Sequence, residues 1–143
     1  MLVIRQFSFQ DLDVITELMG DLGHPTTKEL MLKRMEVISS NPMYCTFVAE
    51  IEGNVVGMVG LRQLYTYEGD NVAGQISVLV TKAEYRGKGV GKALIKQAET
   101  WAKEHGANVI VLTSGSRPER EEAHEFYKHL GFTVSGLRFT KRV

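Results

Sequence analysis

With 143 residues, 43% of them hydrophobic and 24% charged, the chain has the composition of one ordinary globular domain, long enough to bury roughly two thirds of its unfolded surface. Seventeen basic residues balance seventeen acidic ones, which leaves no net positive field to favour nucleic acid or an anionic membrane as a partner. A lone cysteine, Cys45, excludes an internal disulfide, and no signal-like run or long apolar stretch appears, so the expected location is cytoplasmic, away from the membrane.

Leu2 to Phe7 alternates as an opening strand does. Ser8 followed by Asp11 resembles a helix start, and Leu12, Ile15, Leu18, Met19 and Leu22 then share one helical face until Gly20, Gly23 and Pro25 break it. Thr26, with Glu29 three residues on, predicts a capping box for a second helix with Met31, Met35 and Ile38 inward and Asn41-Pro42 at its end. Methionines at helical spacing read as core rather than as a flexible substrate surface. Tyr44 to Ile51 and Val55 to Tyr67, joined by Glu52-Gly53-Asn54, read as a hairpin, with Gly57 and Gly60 marking a bulge or close packing. Cys45 has no base beside it in sequence and reads as a structural thiol. Glu68-Gly69-Asp70-Asn71 is a polar turn, its acids read as solvated rather than as collectors of a cationic substrate.

From Gln75 to Thr81, Ile76, Val78 and Val80 alternate with more polar residues as a β-branched strand. Gly87, Gly89 and Gly91 then run straight into Val90, Leu94, Ala98, Trp101 and Ala102 at helical spacing. The glycines therefore sit on a helix N-terminus, which presents unpaired N–H groups and about half a positive charge, and Lys88 and Lys92 add full charges; a phosphate or pyrophosphate suits such a place. It is not a P-loop, which needs glycine where Arg86 stands and Ser or Thr where Ala93 stands. Nor is it a dinucleotide fingerprint, whose last glycine falls on Lys92 or Leu94.

Val109 to Leu112 is a continuous apolar run, as in a strand buried on both faces, and the strand–helix–strand order makes it parallel to the central strand. A last helix follows with Ala123, Phe126, Tyr127 and Leu130 inward and Gly131 as its cap. Phe132 to Val134 and Leu137 to Arg142 predict a closing hairpin whose free edges suggest a homodimer. His24, His105, His124 and His129 show no metal-ligand spacing, so no metal is expected. On spacing alone Tyr127 is a core tyrosine. No linker or repeat divides the chain, and 1–143 reads as a single domain.

Two motifs resemble those of the GNAT superfamily of acyl-CoA-dependent N-acyltransferases. Arg86-Gly87-Lys88-Gly89-Val90-Gly91 is similar to its Arg/Gln-x-x-Gly-x-Gly/Ala signature, and Tyr127-Lys-His-Leu-Gly131-Phe132 is similar to the segment carrying its catalytic tyrosine. The resemblance implies an α/β (α+β) GNAT-like domain, a mixed sheet of about seven strands flanked by about four helices, with strands four and five parallel and splayed around the cofactor. It implies acetyl-CoA as cofactor and coenzyme A as product. Backbone groups of Leu79, Val80 and Thr81 would hold the pantetheine arm, and the segment Arg86, Gly87, Lys88, Gly89, Val90, Gly91 and Lys92 the pyrophosphate. Tyr127 would protonate the leaving thiolate, and the acceptor would be a primary amine of a small molecule or peptide. Two positions depart from the family pattern. Arg120 stands where an asparagine is common, either serving a phosphate or a substrate carboxylate or lying on a solvated face. Gln75 stands where some members carry a basic glutamate, which leaves a relayed water, Glu68, Asp70, Glu122 or a histidine, His24 among them, as the base. Gln75 also keeps open a second reading, a non-catalytic acyl-CoA sensor. The acceptor loops, roughly 20–27, 65–71 and 135–137, carry no legible substrate code.

Overall fold

The computed structural model describes residues 1–143, in which the strands are β1 (Leu2–Gln6), β2 (Tyr44–Ile51), β3 (Asn54–Leu64), β4 (Ala73–Thr81) and β5 (Ile110–Leu112). The helices are α1 (Leu12–Leu22), α2 (Lys28–Ser40), α3 (Val90–Glu104) and α4 (Glu121–His129). Chain contacts divide them into two units, Met1–Val111 and Leu112–Val143. The sheet order is β1-β2-β3-β4-β5, antiparallel as far as β4, with β5 parallel to β4.

In the first unit the pleat of β3 sorts the helices onto two faces. Gly57 turns toward α3: a β-carbon there would lie 3.0 Å from Val90 Cγ1 and 3.2 Å from Leu94 Cδ1. Its neighbour Met58 points the opposite way, as adjacent strand residues must, and packs with Ile15 and Leu18 of α1 and Met31 and Met35 of α2. On the α3 side Val90, Leu94, Ile95, Ala98 and Trp101 are all buried. At about 1.5 to 3 kcal/mol for each large apolar side chain, that burial fixes the start of α3 against the end of β4.

Local chemistry sets the turns. Glu52 and Gly53 both have positive φ, 50° and 78°, the pair that a two-residue hairpin turn of the right twist requires. α1 ends at Gly23, φ 102°, in the left-handed region. Between α1 and β1, the buried Asp11 accepts two 2.8 Å hydrogen bonds from Arg5, which also donates to Glu50, and Ser8 N–H donates to the same carboxylate.

Four sequence expectations are corrected. The helix α2 is capped by Thr27, whose hydroxyl accepts from Leu30 N–H at 3.2 Å, so the Thr26–Glu29 capping box does not form. β3 stops at Leu64, short of Tyr67. β5 is half-buried rather than buried on both faces, because it closes the sheet order instead of lying inside it. The sheet has five strands, not about seven: residues 133–143 adopt no strand, and Val134, Leu137 and Phe139 are 83%, 83% and 88% exposed, so no apolar face holds the two segments as a hairpin. The free hairpin edges on which the homodimer expectation rested are therefore missing.

Candidate active site

The turn between β4 and α3 displays the backbone. Tyr85 N–H donates to Lys82 and Arg86 N–H to Ala83, and the next backbone bond is Ala93 N–H to Gly89 at 3.0 Å. Between them, the N–H groups from Gly87 to Lys92 have no backbone acceptor, and no side chain caps the helix. Gly87 and Gly89 hold this shape with φ of 76° and 82°, a region costly to residues with a β-carbon, and a β-carbon built on either would meet nothing within 4 Å. Lys88 lies over the Tyr85 ring, 5.2 Å from its centroid, and no carboxylate pairs with Arg86, Lys88 or Lys92. Bare N–H groups, a helix end and unpaired cations in one open turn suit the pyrophosphate of a coenzyme A ester.

β4 leads into this turn, and its hydrogen-bond phase decides which groups face outward. Lys82 N–H donates to Val56 at 2.8 Å, and Thr81, Val80, Leu79 and Val78 stand opposite Gly57, Met58, Val59 and Gly60. In an antiparallel ladder bonded pairs alternate, so Val80 and Val78 bond toward β3, while Leu79 and Thr81 turn their N–H and C=O groups to the other side. There β4 meets β5 near its own start, where Gly74 N–H donates to Val109, but β5 has only three residues against nine in β4. Its length runs out before Leu79 and Thr81.

Upstream on β4 the register shifts. Gly60 pairs with Val78 and Leu61 with Ile76, which makes Ser77 the extra residue of a bulge. The glycine is needed here, since a β-carbon on Gly60 would sit 2.7 Å from Val78 Cγ1. The bulge opens onto a cavity of about 200 Å³ between α1, α2 and the sheet, walled by Met19, Met31, Met35 and Met58; Arg34, Tyr44, Thr46 and Ser77 also border it, but the surface that faces the cavity is almost wholly apolar. The methionines are thus both core and cavity wall. Sequence reading missed Arg34, Tyr44, Thr46 and Ser77. The spacing of Tyr44 and Thr46 put them on one face of β2, but nothing local signalled the bulge that makes that face a cavity wall.

In the second unit, α4 ends in a Schellman cap. Phe132 N–H donates to Tyr127 C=O at 3.0 Å and Gly131 N–H to Lys128 C=O at 3.0 Å, with Gly131 at φ 95°. The Tyr127 ring packs edge-on between Phe126 and Phe132, at centroid distances of 5.6 and 5.8 Å. Burial pushes its phenol above the usual value of 10, and the charge of Arg120 pulls part of that back, so Tyr127 stays protonated at neutral pH. Arg120 makes no ion pair with Glu121 or Glu122, and its stem lies beside Gly115, 3.6 Å from where a β-carbon would stand.

The candidate bases are scattered. His24, Glu68, Asp70 and Glu122 are exposed, and none lines the cavity. Gln75 is committed elsewhere: it stands opposite Arg62 in the sheet and accepts a hydrogen bond from its Nε.

A model described as the acetyltransferase (GNAT) family matches residues 12–132. The chain belongs to the GNAT family. This GNAT chain is 31% identical to the uncharacterized N-acetyltransferase YhdJ of Bacillus subtilis over 128 residues, 88% of the chain and 87% of the relative. It is 36% identical to the aminoalkylphosphonate N-acetyltransferase of Salmonella typhimurium across 62% of the chain and 56% of that enzyme, and 36% identical to human N-acetylaspartate synthetase across 66% of the chain and 30% of that protein. Among solved structures, a GNAT acetyltransferase from Staphylococcus aureus superposes with a TM-score of 0.85 at 27% identity, covering 99% of this chain and 98% of the other. The aminoglycoside N-acetyltransferase AAC(6')-Iy in complex with CoA shares the fold, with a TM-score of 0.87 at 20% identity over 100% of this chain and 95% of that one. The chain is thus an enzyme, an N-acetyltransferase by family, and relatives named for acetyl transfer do not favour the sensor reading. No helix is long and apolar enough to cross a membrane.

Proposed function

We propose that this GNAT enzyme transfers the acetyl group of acetyl-CoA to the primary amine of a small molecule by direct attack in a ternary complex, leaving coenzyme A. The observation that carries the reading is the run of unbonded N–H groups from Gly87 to Lys92 at the end of a strand whose outward groups lead back to a cavity. When bound, acetyl-CoA supplies an activated acetyl thioester. Gly87 to Lys92 hold its pyrophosphate, with Arg86, Lys88 and Lys92 adding charge. Leu79 and Thr81 offer the pantetheine arm the groups of an unpaired strand edge, and Val80 fixes their phase by bonding to β3.

Acyl transfer places negative charge on the carbonyl oxygen. A backbone N–H at the outer edge of β4 supplies the donor, a contribution of about 2.7 to 4 kcal/mol in comparable sites. Tyr127, neutral and carrying its proton, is the donor to the leaving sulfur. An alkyl amine of pKa ~10.4 is neutral in only about one molecule per few thousand at pH 7, so its proton leaves through water, in keeping with the absence of a carboxylate or imidazole from the cavity wall. Relatives named for aminoalkylphosphonate and for N-acetylaspartate support a small amine over a peptide as acceptor. The free thiol of Cys45 fits a reducing, cytoplasmic setting. A melting-temperature titration tests the cofactor assignment: a hundredfold excess of acetyl-CoA over its dissociation constant should stabilise the fold by about 2.7 kcal/mol, and no shift would remove the reading.

A further inference from the structure

We propose that the methionine-walled cavity is a site for the acyl chain of the donor, so that the enzyme takes straight-chain acyl-CoA esters of up to about six carbons besides acetyl-CoA. The inference rests on the N-acetylation reading above and widens its donor. Three observations carry it. The first is size. Protein interiors pack so closely that voids much larger than a water molecule are few, yet about 200 Å³ lies open between Met19, Met31, Met35 and Met58. That exceeds the roughly 150 Å³ of an apolar cavity that stays dry and holds a six-carbon ring. The second is polarity. The surface facing the space is almost wholly apolar, so it offers an amine no hydrogen-bond partner, and the acceptor's nitrogen stays outside it. Methionine side chains, unbranched and flexible, close around a straight chain of varying length.

The third observation is the cavity's place on β4. Thr81 and Leu79 turn their backbone groups outward, and Ser77, the extra residue of the bulge, lies two residues before Leu79, about 7 Å along the strand, and borders the cavity with Val78. A pantetheine arm laid from the turn at 87–92 along Thr81 and Leu79 therefore brings its thioester to the bulge. The acyl chain is bonded to that thioester, so the donor reaches the cavity by connectivity alone, whereas nothing on the strand ties an acceptor's arm to it. The reaction is unchanged: the amine nitrogen bonds to the thioester carbon, the C–S bond breaks, the amine proton goes to water and the sulfur leaves as the thiol. What a longer chain adds is apolar burial, and each methylene that fits strengthens binding about fourfold.

Calorimetry without any amine tests this, with coenzyme A and its acetyl, butyryl, hexanoyl and decanoyl esters titrated into wild type, Met19→Ala and Met19→Trp. Met19 is half-buried at the edge of the core, so both variants should fold, and coenzyme A, which has no acyl group, should bind all three proteins alike. In the wild type, affinity should rise from acetyl to hexanoyl by about fourfold per methylene and gain nothing further at decanoyl. Met19→Trp fills the cavity and should flatten the series; Met19→Ala enlarges it and should move the plateau toward decanoyl. A wild-type series that is flat or falls with chain length, or one that stays as steep in Met19→Trp, would overturn the acyl site while leaving acetyl transfer intact. A flat ester series with hexylamine binding the enzyme–CoA complex, and losing that binding in Met19→Trp, would overturn it by giving the cavity to the acceptor. Failure of coenzyme A and all its esters to bind would remove the cofactor reading and the acyl site with it.

Discussion

The carbonyl of Tyr127 accepts the backbone N–H of Phe132 at 3.0 Å, and the two rings meet edge to face 5.8 Å apart. The Tyr-x-x-x-Gly-Phe pattern thus has a physical cause within its own helix. Gly131 supplies the left-handed residue, Phe132 closes the last turn, and its ring braces the phenol that the sequence points to.

Removing only the phenol oxygen separates packing from chemistry. Tyr127→Phe should keep the brace and its stability but lower kcat by about 10² to 10⁴, with acetyl-CoA affinity little changed. The phenol pKa is raised above its usual 10, so the donor persists through pH 10 and is lost only at higher pH; an alkaline limb there in the wild type should vanish in the variant. Wild-type rates for Tyr127→Phe across pH 6 to 9 would make Tyr127 a packing residue.

Gly89→Glu places a side chain and a negative charge on the anion site, and should abolish stabilisation by acetyl-CoA. Gly89→Ala is the control: a β-carbon meets nothing there, so it adds only the strain of φ 82°, about 1 to 2 kcal/mol, and should retain most binding. Equal responses of the glutamate variant and the wild type in calorimetry would move the site elsewhere.

Gln75→Glu should not create a base. Arg62 faces position 75 across the sheet and already donates to it, so a carboxylate there becomes an ion pair with a lowered pKa. We expect kcat/KM within about threefold of wild type and no new limb in its pH profile. A tenfold gain would show that a base is wanted there.

Asp11→Asn tests the tie between β1 and α1. Its carboxyl is held below the usual 3.8 chiefly by hydrogen bonds from Arg5. A lowered folded pKa gives stability that is complete above the unfolded value and lost as pH falls through the folded one. The variant should lose about 1.5 to 3 kcal/mol at pH 7, and the gap to wild type should shrink below about pH 4 in urea titrations. A gap independent of pH would mean that packing, not charge, is lost.

Much of this architecture was legible because single elements carry it. The alternation of Ile76, Val78 and Val80 marks β4, the run from Val90 to Ala102 marks α3, and the glycines between them mark an open helix end. What could not be read depends on pairs of elements. The register slip that makes Ser77 a bulge arises between β3 and β4, and the space beside the methionines is set by how far α1 and α2 stand from the sheet; periodicity names a face, not a gap. The terminal segment misled for the opposite reason: Leu137 and Phe139 alternate like strand residues, yet nothing covers them.

The most direct measurement mixes the purified chain with acetyl-CoA and a panel of primary amines, follows release of the coenzyme A thiol, and weighs the product. The account predicts amine-dependent thiol release in one-to-one proportion to an acceptor heavier by one acetyl group; saturable acetyl-CoA binding with no thiol release for any amine would contradict it.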